Sequence, residues 1–121
     1  MKITVEKKDK YTVIFLQEEK LISTVSPELK AQFVYLNGQG ERNIILDLTG
    51  ARYCDSSGLS AILVGNRLCK NANGSFVLSG VHETIMKLIN ISQLESVLTI
   101  VPKKEEAVDT VLMEEIEREV K

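Results

Sequence analysis

The sequence predicts an α/β fold: a mixed sheet of four or five strands packed with about four helices. Three observations carry that prediction. Apolar runs of strand character alternate with segments of helical periodicity, which implies largely parallel pairing. The chain opens with two strand-like segments joined by the short turn "EKKDK", which adds an antiparallel hairpin. Its 121 residues, 44% hydrophobic and 26% charged, suffice for one core-bearing domain, residues 1–121, and not for two.

The elements follow in order. "KITVEKK" alternates and places Ile3 and Val5 on one face of a first strand. "YTVIFLQ" is apolar on both faces, as a more buried strand requires. "SPELKAQFVYLNGQG" predicts a helix. Ser26 is its expected N-cap, and Pro27 suits the first helical position. Leu29, Phe33 and Leu36 share one face, and Gly38 is the expected stop. "NIILDLT" is a continuous apolar strand, the signature of a central position. "GLSAILVGNRLCK" then reads as a helix buried over most of its girth, with Leu59, Ile62 and Leu63 in the core. "NANG" is a turn, "SFVLSG" a strand, "HETIMKLINI" a short helix, and "SVLTIV" a last strand closed by Pro102. A C-terminal helix over 103–120 carries Val108, Val111, Leu112, Ile116 and Val120 as a slowly drifting stripe. Its acidic end, "EEIEREVK", reads as a solvated face. The expected order is β-β-α-β-α-β-α-β-α, with no internal repeat and no low-complexity linker.

Composition narrows the function classes. Net charge is −2 and the basic residues are scattered, which argues against direct nucleic-acid binding. No apolar run approaches the ~20 residues of a membrane span, so no membrane insertion is expected. "MKITVEKKDK" lacks the apolar core of a signal peptide, and the expected location is cytoplasmic. Without secretion, "NGS" and "NIS" are chance matches to the glycosylation pattern. Cys54 and Cys69 form no CxxC and no disulfide framework, and both are expected as small buried apolar groups. A single histidine, His82, leaves little room for a metal site, and no cofactor is expected.

The most informative stretch is "ARYCDSSGLSAIL", residues 51–63, at the join of a strand and a helix. Asp55 and Ser56 stand where the helix begins, and either side chain can accept from an orphan N–H. Gly58 permits a tight turn or the close approach of another group. A capped helix start is the plain structural explanation. One cap suffices, however, and the chain supplies Asp55, Ser56 and Ser57 together. The loop also follows a central strand, where open α/β sheets place ligands. A phosphoryl group there meets free N–H groups and the positive end of the helix dipole, yet lies beside Asp55, which repels it. Such a site can hold a phosphate without needing one. Two sharper chemistries fit poorly. Asp47 and Asp55 suggest an acidic phosphoacceptor pocket, but the chain has no acidic pair after its first strand. Asp55, Ser56 and His82 suggest a hydrolase triad, but no G-x-S-x-G elbow surrounds the serine.

"DSSGLSAIL", preceded by "NIILDLTG" and "ARYC", closely resembles the signature of the STAS domain found in anti-sigma factor antagonists. The expected strand–helix order matches that family along nearly the whole chain, and "LISTVSPELK" resembles the opening of its first helix. The resemblance implies a STAS fold and a regulator that is a substrate and competitor rather than an enzyme. It implies phosphorylation at Ser56 by an anti-sigma factor serine kinase of the histidine-kinase-like ATPase type. Unphosphorylated antagonist binds the anti-sigma factor and frees the sigma factor; phosphorylated antagonist lets go; a PP2C-type phosphatase resets it. Asp55, Ser57 and Gly58 would join Ser56 in binding the partner kinase. Asp55 is expected to orient the Ser56 hydroxyl, and Ser57 to cap the helix backbone. The chain departs from the family pattern "LDxxTAPELK" by placing Ile22 and Val25 at the aspartate and threonine positions. That departure predicts a poor substrate for the typical family kinase. STAS domains also serve as scaffolds or accessory subunits of transport or sensory complexes. The small size and intact "DSSG" favour the free-standing regulator.

Overall fold

The computed structural model describes residues 3–120. Lys2, at the start of the first expected strand, lies outside them. A hairpin of β1 (Ile3–Lys7) and β2 (Thr12–Leu16) leads through β3 (Lys20–Leu21) to α1 (Ser26–Gly38). β4 (Ile44–Asp47), β5 (Tyr53–Cys54), α2 (Ser56–Asn71), β6 (Phe76–Ser79), α3 (Glu83–Ile91), β7 (Thr99–Val101) and α4 (Lys104–Val120) follow. Five strands form a mixed sheet in the order β1-β2-β4-β6-β7. Within this sheet β1–β2 is antiparallel, and β2–β4, β4–β6 and β6–β7 run parallel.

Each parallel step moves one strand further in the same direction, so connections of one hand place their helices on one face of the sheet. α1, α2 and α3 cover that face. Ile14, Leu16, Ile44, Leu46, Phe76 and Leu78 meet Leu29, Phe33, Ile62, Cys69, Ile85 and Ile89 there. The alternate residues of the same strands, Val13, Ile45 and Val77, face the other way onto Ala107 and Val111 of α4. The period-2 alternation of strands thus feeds two apolar layers, which is why β4 and β6 are buried at every position. Gly65 admits the close fit of α2: a Cβ there would meet the Phe76 and Phe33 rings at 2.7 and 2.8 Å. Those two rings pack edge to face, 5.6 Å between centroids.

Several expectations need correction. Ser26 does not cap α1 with its side chain. Val25 occupies the N-cap position, and Ser26 is already helical. Val25 is drawn into the core at 8% exposure, and the Val25 and Ser26 amides both donate to the Ile22 carbonyl, so the first turn tightens one residue early. Gly38 is the last helical residue, as expected, but the left-handed residue that closes the helix lies two positions on. Gly40 takes the left-handed conformation (φ +86°), with its amide on the Asn37 carbonyl and that of Glu41 on Leu36. That is a Schellman ending. Leu63 is half-buried at the edge of the core rather than within it. The stripe expected on α4 stops midway. The helix turns Ala107, Val111 and Glu115 inward, at i, i+4 and i+8, while Ile116 and Val120 are 54% and 78% exposed. Beyond Val111 the helix passes the edge of the apolar layer and meets the polar ends of β4 and β6. The acidic end of the chain is therefore only in part a solvated face. Glu115 is buried and accepts from Asn43, Arg42 and Arg118.

Candidate functional site

The two shortest strands build the site. β3 and β5 pair in parallel, Lys20 with Tyr53 and Leu21 with Cys54, beyond the carboxyl ends of β2 and β4. The clamp is extended by the Arg52 amide on Glu19 (2.8 Å) and the Asp55 amide on Leu21 (3.3 Å). Two chain segments that would otherwise be loops are held side by side, and the N-termini of α1 and α2 are brought together. Gly58 is required by this clamp: a Cβ there would lie 2.3 Å from the Leu21 carbonyl oxygen and 3.0 Å from Cβ of Cys54. Its smallness serves the close approach of the chain's own backbone.

Asp55 is the N-cap of α2, in extended conformation (φ −100°, ψ −172°). Its Oδ1 accepts from the Gly58 amide at 2.9 Å and from the Ser57 hydroxyl at 2.6 Å. The Ser57 hydroxyl, then the Gly58 amide, hold the Asp55 carboxyl below the usual carboxylate range, with smaller help from the Ser57 and Ser23 amides. The Ser57 oxygen also lies 3.1 Å from that of Ser26, whose hydroxyl reaches the Ile22 carbonyl at 2.9 Å. Two hydroxyl protons serve three contacts. That of Ser57 is committed to Asp55, and that of Ser26 is shared between Ile22 and Ser57.

Ser56 is the first residue of α2 and is exposed. Among the described residues its hydroxyl has no hydrogen-bond partner. Two expectations about roles are corrected here. Asp55 does not orient Ser56, and Ser57 does not cap the backbone. An N-cap side chain reaches the second and third helical residues, which are Ser57 and Gly58, while the first points away. The four motif residues thus divide into a fastened group, Asp55, Ser57 and Gly58, and one free hydroxyl.

The neighbours settle other expectations. Cys54 and Cys69 are both buried. Burial, and secondarily Asp55, pushes the Cys54 thiol up to about 11, and burial pushes Cys69 up to about 12. Neither is an activated thiol. Asp47 accepts from the Thr49 amide (3.1 Å) and the Ser79 hydroxyl (2.9 Å), so it is a satisfied structural group rather than half of an acidic pocket. His82 is the N-cap of α3, and its Nε2 contacts the Thr49 carbonyl at 2.9 Å rather than Ser56. Among the described residues no three His, Cys, Asp or Glu side chains group as metal ligands. Ile22 is half-buried and Val25 is packed into the core, so neither position offers a polar side chain beside Asp55.

Sequence reasoning missed the contribution of α3. A shallow groove of ≈ 370 Å³ runs from Tyr53, Asp55 and Ser56 to Thr84, Lys87 and Ile91. Tyr53 and Ile91 are 46% and 79% exposed. The signal was present in "HETIMKLINI": Ile85 and Ile89 account for the core face and Leu88 packs at its edge, which leaves Ile91 as an apolar residue without an inward position.

The STAS domain family pattern matches residues 2–107, and the chain belongs to that family. The protein BtrV of Bordetella bronchiseptica, named for a proposed anti-sigma factor antagonist activity, is 27% identical over 107 residues, covering 88% of this chain and 91% of BtrV. A Thermotoga maritima protein described in the same terms superposes with a TM-score of 0.80 at 22% identity, over 90% of this chain and 93% of its own. The Bacillus cell fate determinant SpoIIAA, solved in its phosphorylated form, gives 0.72 at 24% identity, over 91% and 99%. The two structural likenesses establish a shared fold. Among the described residues, no helix is long and apolar enough to cross a membrane.

Proposed function

We propose that the protein is an anti-sigma factor antagonist, a cytoplasmic one-domain regulator with no catalytic activity of its own, switched by phosphorylation of Ser56. Unmodified, it binds an anti-sigma factor serine kinase and releases a sigma factor. Phosphorylated, it dissociates, and a PP2C-type phosphatase restores it. The reading rests on one observation above others: an exposed hydroxyl at the first position of a helix, without a hydrogen-bond partner among the described residues, beside a capping carboxylate whose Oδ1 is engaged by Ser57 and Gly58. That hydroxyl can be modified without breaking any fold contact. The kinship with BtrV and SpoIIAA supports the same reading.

Phosphorylation adds about −1.5 to −2 charges at pH 7. Placed at an interface, a penalty of ~3 kcal/mol lowers affinity roughly a hundredfold, enough to change partners without unfolding. Asp55, Ser57 and Gly58 hold the surface around Ser56 in a fixed shape, so the kinase meets a preformed site. Ile22 and Val25 supply no polar side chain beside the site, so the protein should react poorly with kinases that need polar groups there.

Affinity capture from native lysate with the parent, Ser56→Ala and Ser56→Glu proteins tests the proposal. The parent and Ser56→Ala should retain a kinase-type ATPase, and Ser56→Glu should lose much of it. Mass spectrometry after incubation with that kinase and ATP should place phosphate on Ser56. Phosphate on Ser57 alone, or equal capture by all three proteins, would sink the proposal. Capture of transport or sensory subunits instead would favour a scaffold role for the same fold.

A further inference from the structure

We infer that Lys87 is the counter-charge for a phosphate monoester on Ser56, and that their pairing closes the groove between α2 and α3. The inference rests on the proposed modification of Ser56 and adds the chemistry that receives it. Lys87 and Asp55 are the charged side chains lining the groove that holds Ser56. In the unmodified protein Lys87 pairs only loosely, one helical turn along α3, with Glu83 at 3.8 Å. Those side chains are 71% and 87% exposed, so water competes for both and the pair holds Lys87 weakly. A phosphoserine dianion offers more charge and more acceptor oxygens than Glu83. The lysine ammonium, on a flexible four-carbon stem, can turn from one to the other without any backbone change. Asp55, next to Ser56 on the groove wall and with its Oδ1 already engaged, repels the new group and so favours the lysine as its partner. Thr84, on the same wall, supplies a hydroxyl within the groove.

The consequence separates this device from simple repulsion. An ammonium drawn across the groove covers the exposed apolar floor near Ile91, which is then closed to a docked side chain. Phosphorylation would thus remove the docking surface as well as charge it.

The test uses full-length protein carrying genetically encoded phosphoserine at position 56, so that it does not depend on any kinase. Phosphorus NMR follows the second ionisation of the phosphate in the parent, Lys87→Met, Lys87→Arg and Lys70→Met. Lys70 sits at the far end of α2, fourteen residues and about 21 Å along the helix from Ser56, well beyond the ~8 Å screening length at physiological salt. Lys87→Met should raise the phosphate pKa by about half a pH unit. Lys87→Arg and Lys70→Met should leave it near the parent value. Lys87 is exposed, so folding should survive in all three. No shift in Lys87→Met, or an equal shift in Lys70→Met, overturns the assignment. Failure of a kinase to modify Ser56 would instead count against the functional reading and leave this measurement standing.

Discussion

At the scale of residues, the site turns on a division of labour within four positions. Asp55 fastens, Ser57 relays, Gly58 admits the Leu21 backbone, and Ser56 stays free. The division makes stability and modification separable. Asp55→Asn keeps a capping oxygen and removes the charge, so its melting temperature should stay close to that of the parent. Asp55→Ala removes the cap and should melt a few degrees lower. Ser57→Ala should also destabilise, because it breaks the bridge between the starts of α1 and α2. Neither Asn nor Ala at position 55 removes the Ser56 hydroxyl, so a change in phosphorylation rate reports the carboxylate itself. The rate should fall in both variants. An Asp55→Asn protein that is modified and binds like the parent would show that the charge has no part in recognition. The Asp55 carboxyl titrates below its ordinary range, so its contribution is complete above the unfolded-state pKa and fades as pH drops through the depressed folded value. Whatever small difference separates the melting curves of the parent and Asp55→Asn at neutral pH should therefore vanish in acid. The presence of a cap could be read from "DSSG"; which residue caps and which stays free could not. That depends on the 3.6-residue turn of the helix in space, where the first residue points outward and the third points back.

At the scale of elements, three helices end alike. Gly40, Asn73 and Gln93 all take positive φ, and the amides around them return to carbonyls one turn back. Glycine adopts that conformation freely, asparagine tolerates it, and glutamine pays a steric cost. Gln93→Gly should therefore stabilise the protein by about 0.5–1 kcal/mol, measured by urea unfolding with an unchanged m-value. A loss of stability would mean that the Gln93 side chain contributes more than its backbone strain costs. These endings also show what the sequence could disclose. β2, β4 and β6 were legible, because an apolar run must be buried whatever surrounds it. α1 and α2 were legible by their periodic faces. The pair β3–β5 was not, since two residues carry no periodicity. Yet that pair assembles the site. The end of α1 at Gly38 was legible, but the left-handed closing role of Gly40 two residues on was not, because only geometry tells the two glycines apart.

At the scale of the whole molecule, the sheet separates two ends with different tasks. The Ser56 corner lies past the carboxyl end of β4. At the amino ends of β4 and β6, Asn43 and Ser75 meet the last turns of α4. There Glu115 accepts from Arg42, Asn43 and Arg118, and Arg118 reaches Asn43 and Ser75. This network, with Ala107 and Val111, fastens α4 over the second face of the sheet. Arg118 first, then Asn43 and Arg42, lower the Glu115 carboxyl from 4.5 to about 2. A depressed folded pKa stabilises above the unfolded value and fails below it. The contribution should thus be complete above about 4.5 and drain away as pH falls toward about 2. Glu115→Gln keeps the volume and one acceptor oxygen but leaves Arg42 and Arg118 without their carboxylate. At neutral pH it should cost on the order of 2 kcal/mol. The gap between parent and variant should narrow on acidification, because the parent loses the same charge. Thermal melts from about pH 7 to pH 2.5 check this, and a constant gap across that range would show that the charge of Glu115 does not hold α4. Because the network sits at the far end of the strands, Glu115→Gln should leave phosphorylation of Ser56 unchanged at temperatures where the variant is folded. A lowered rate in a fully folded variant would reveal coupling through the sheet, and the two ends would then have to be treated as one device.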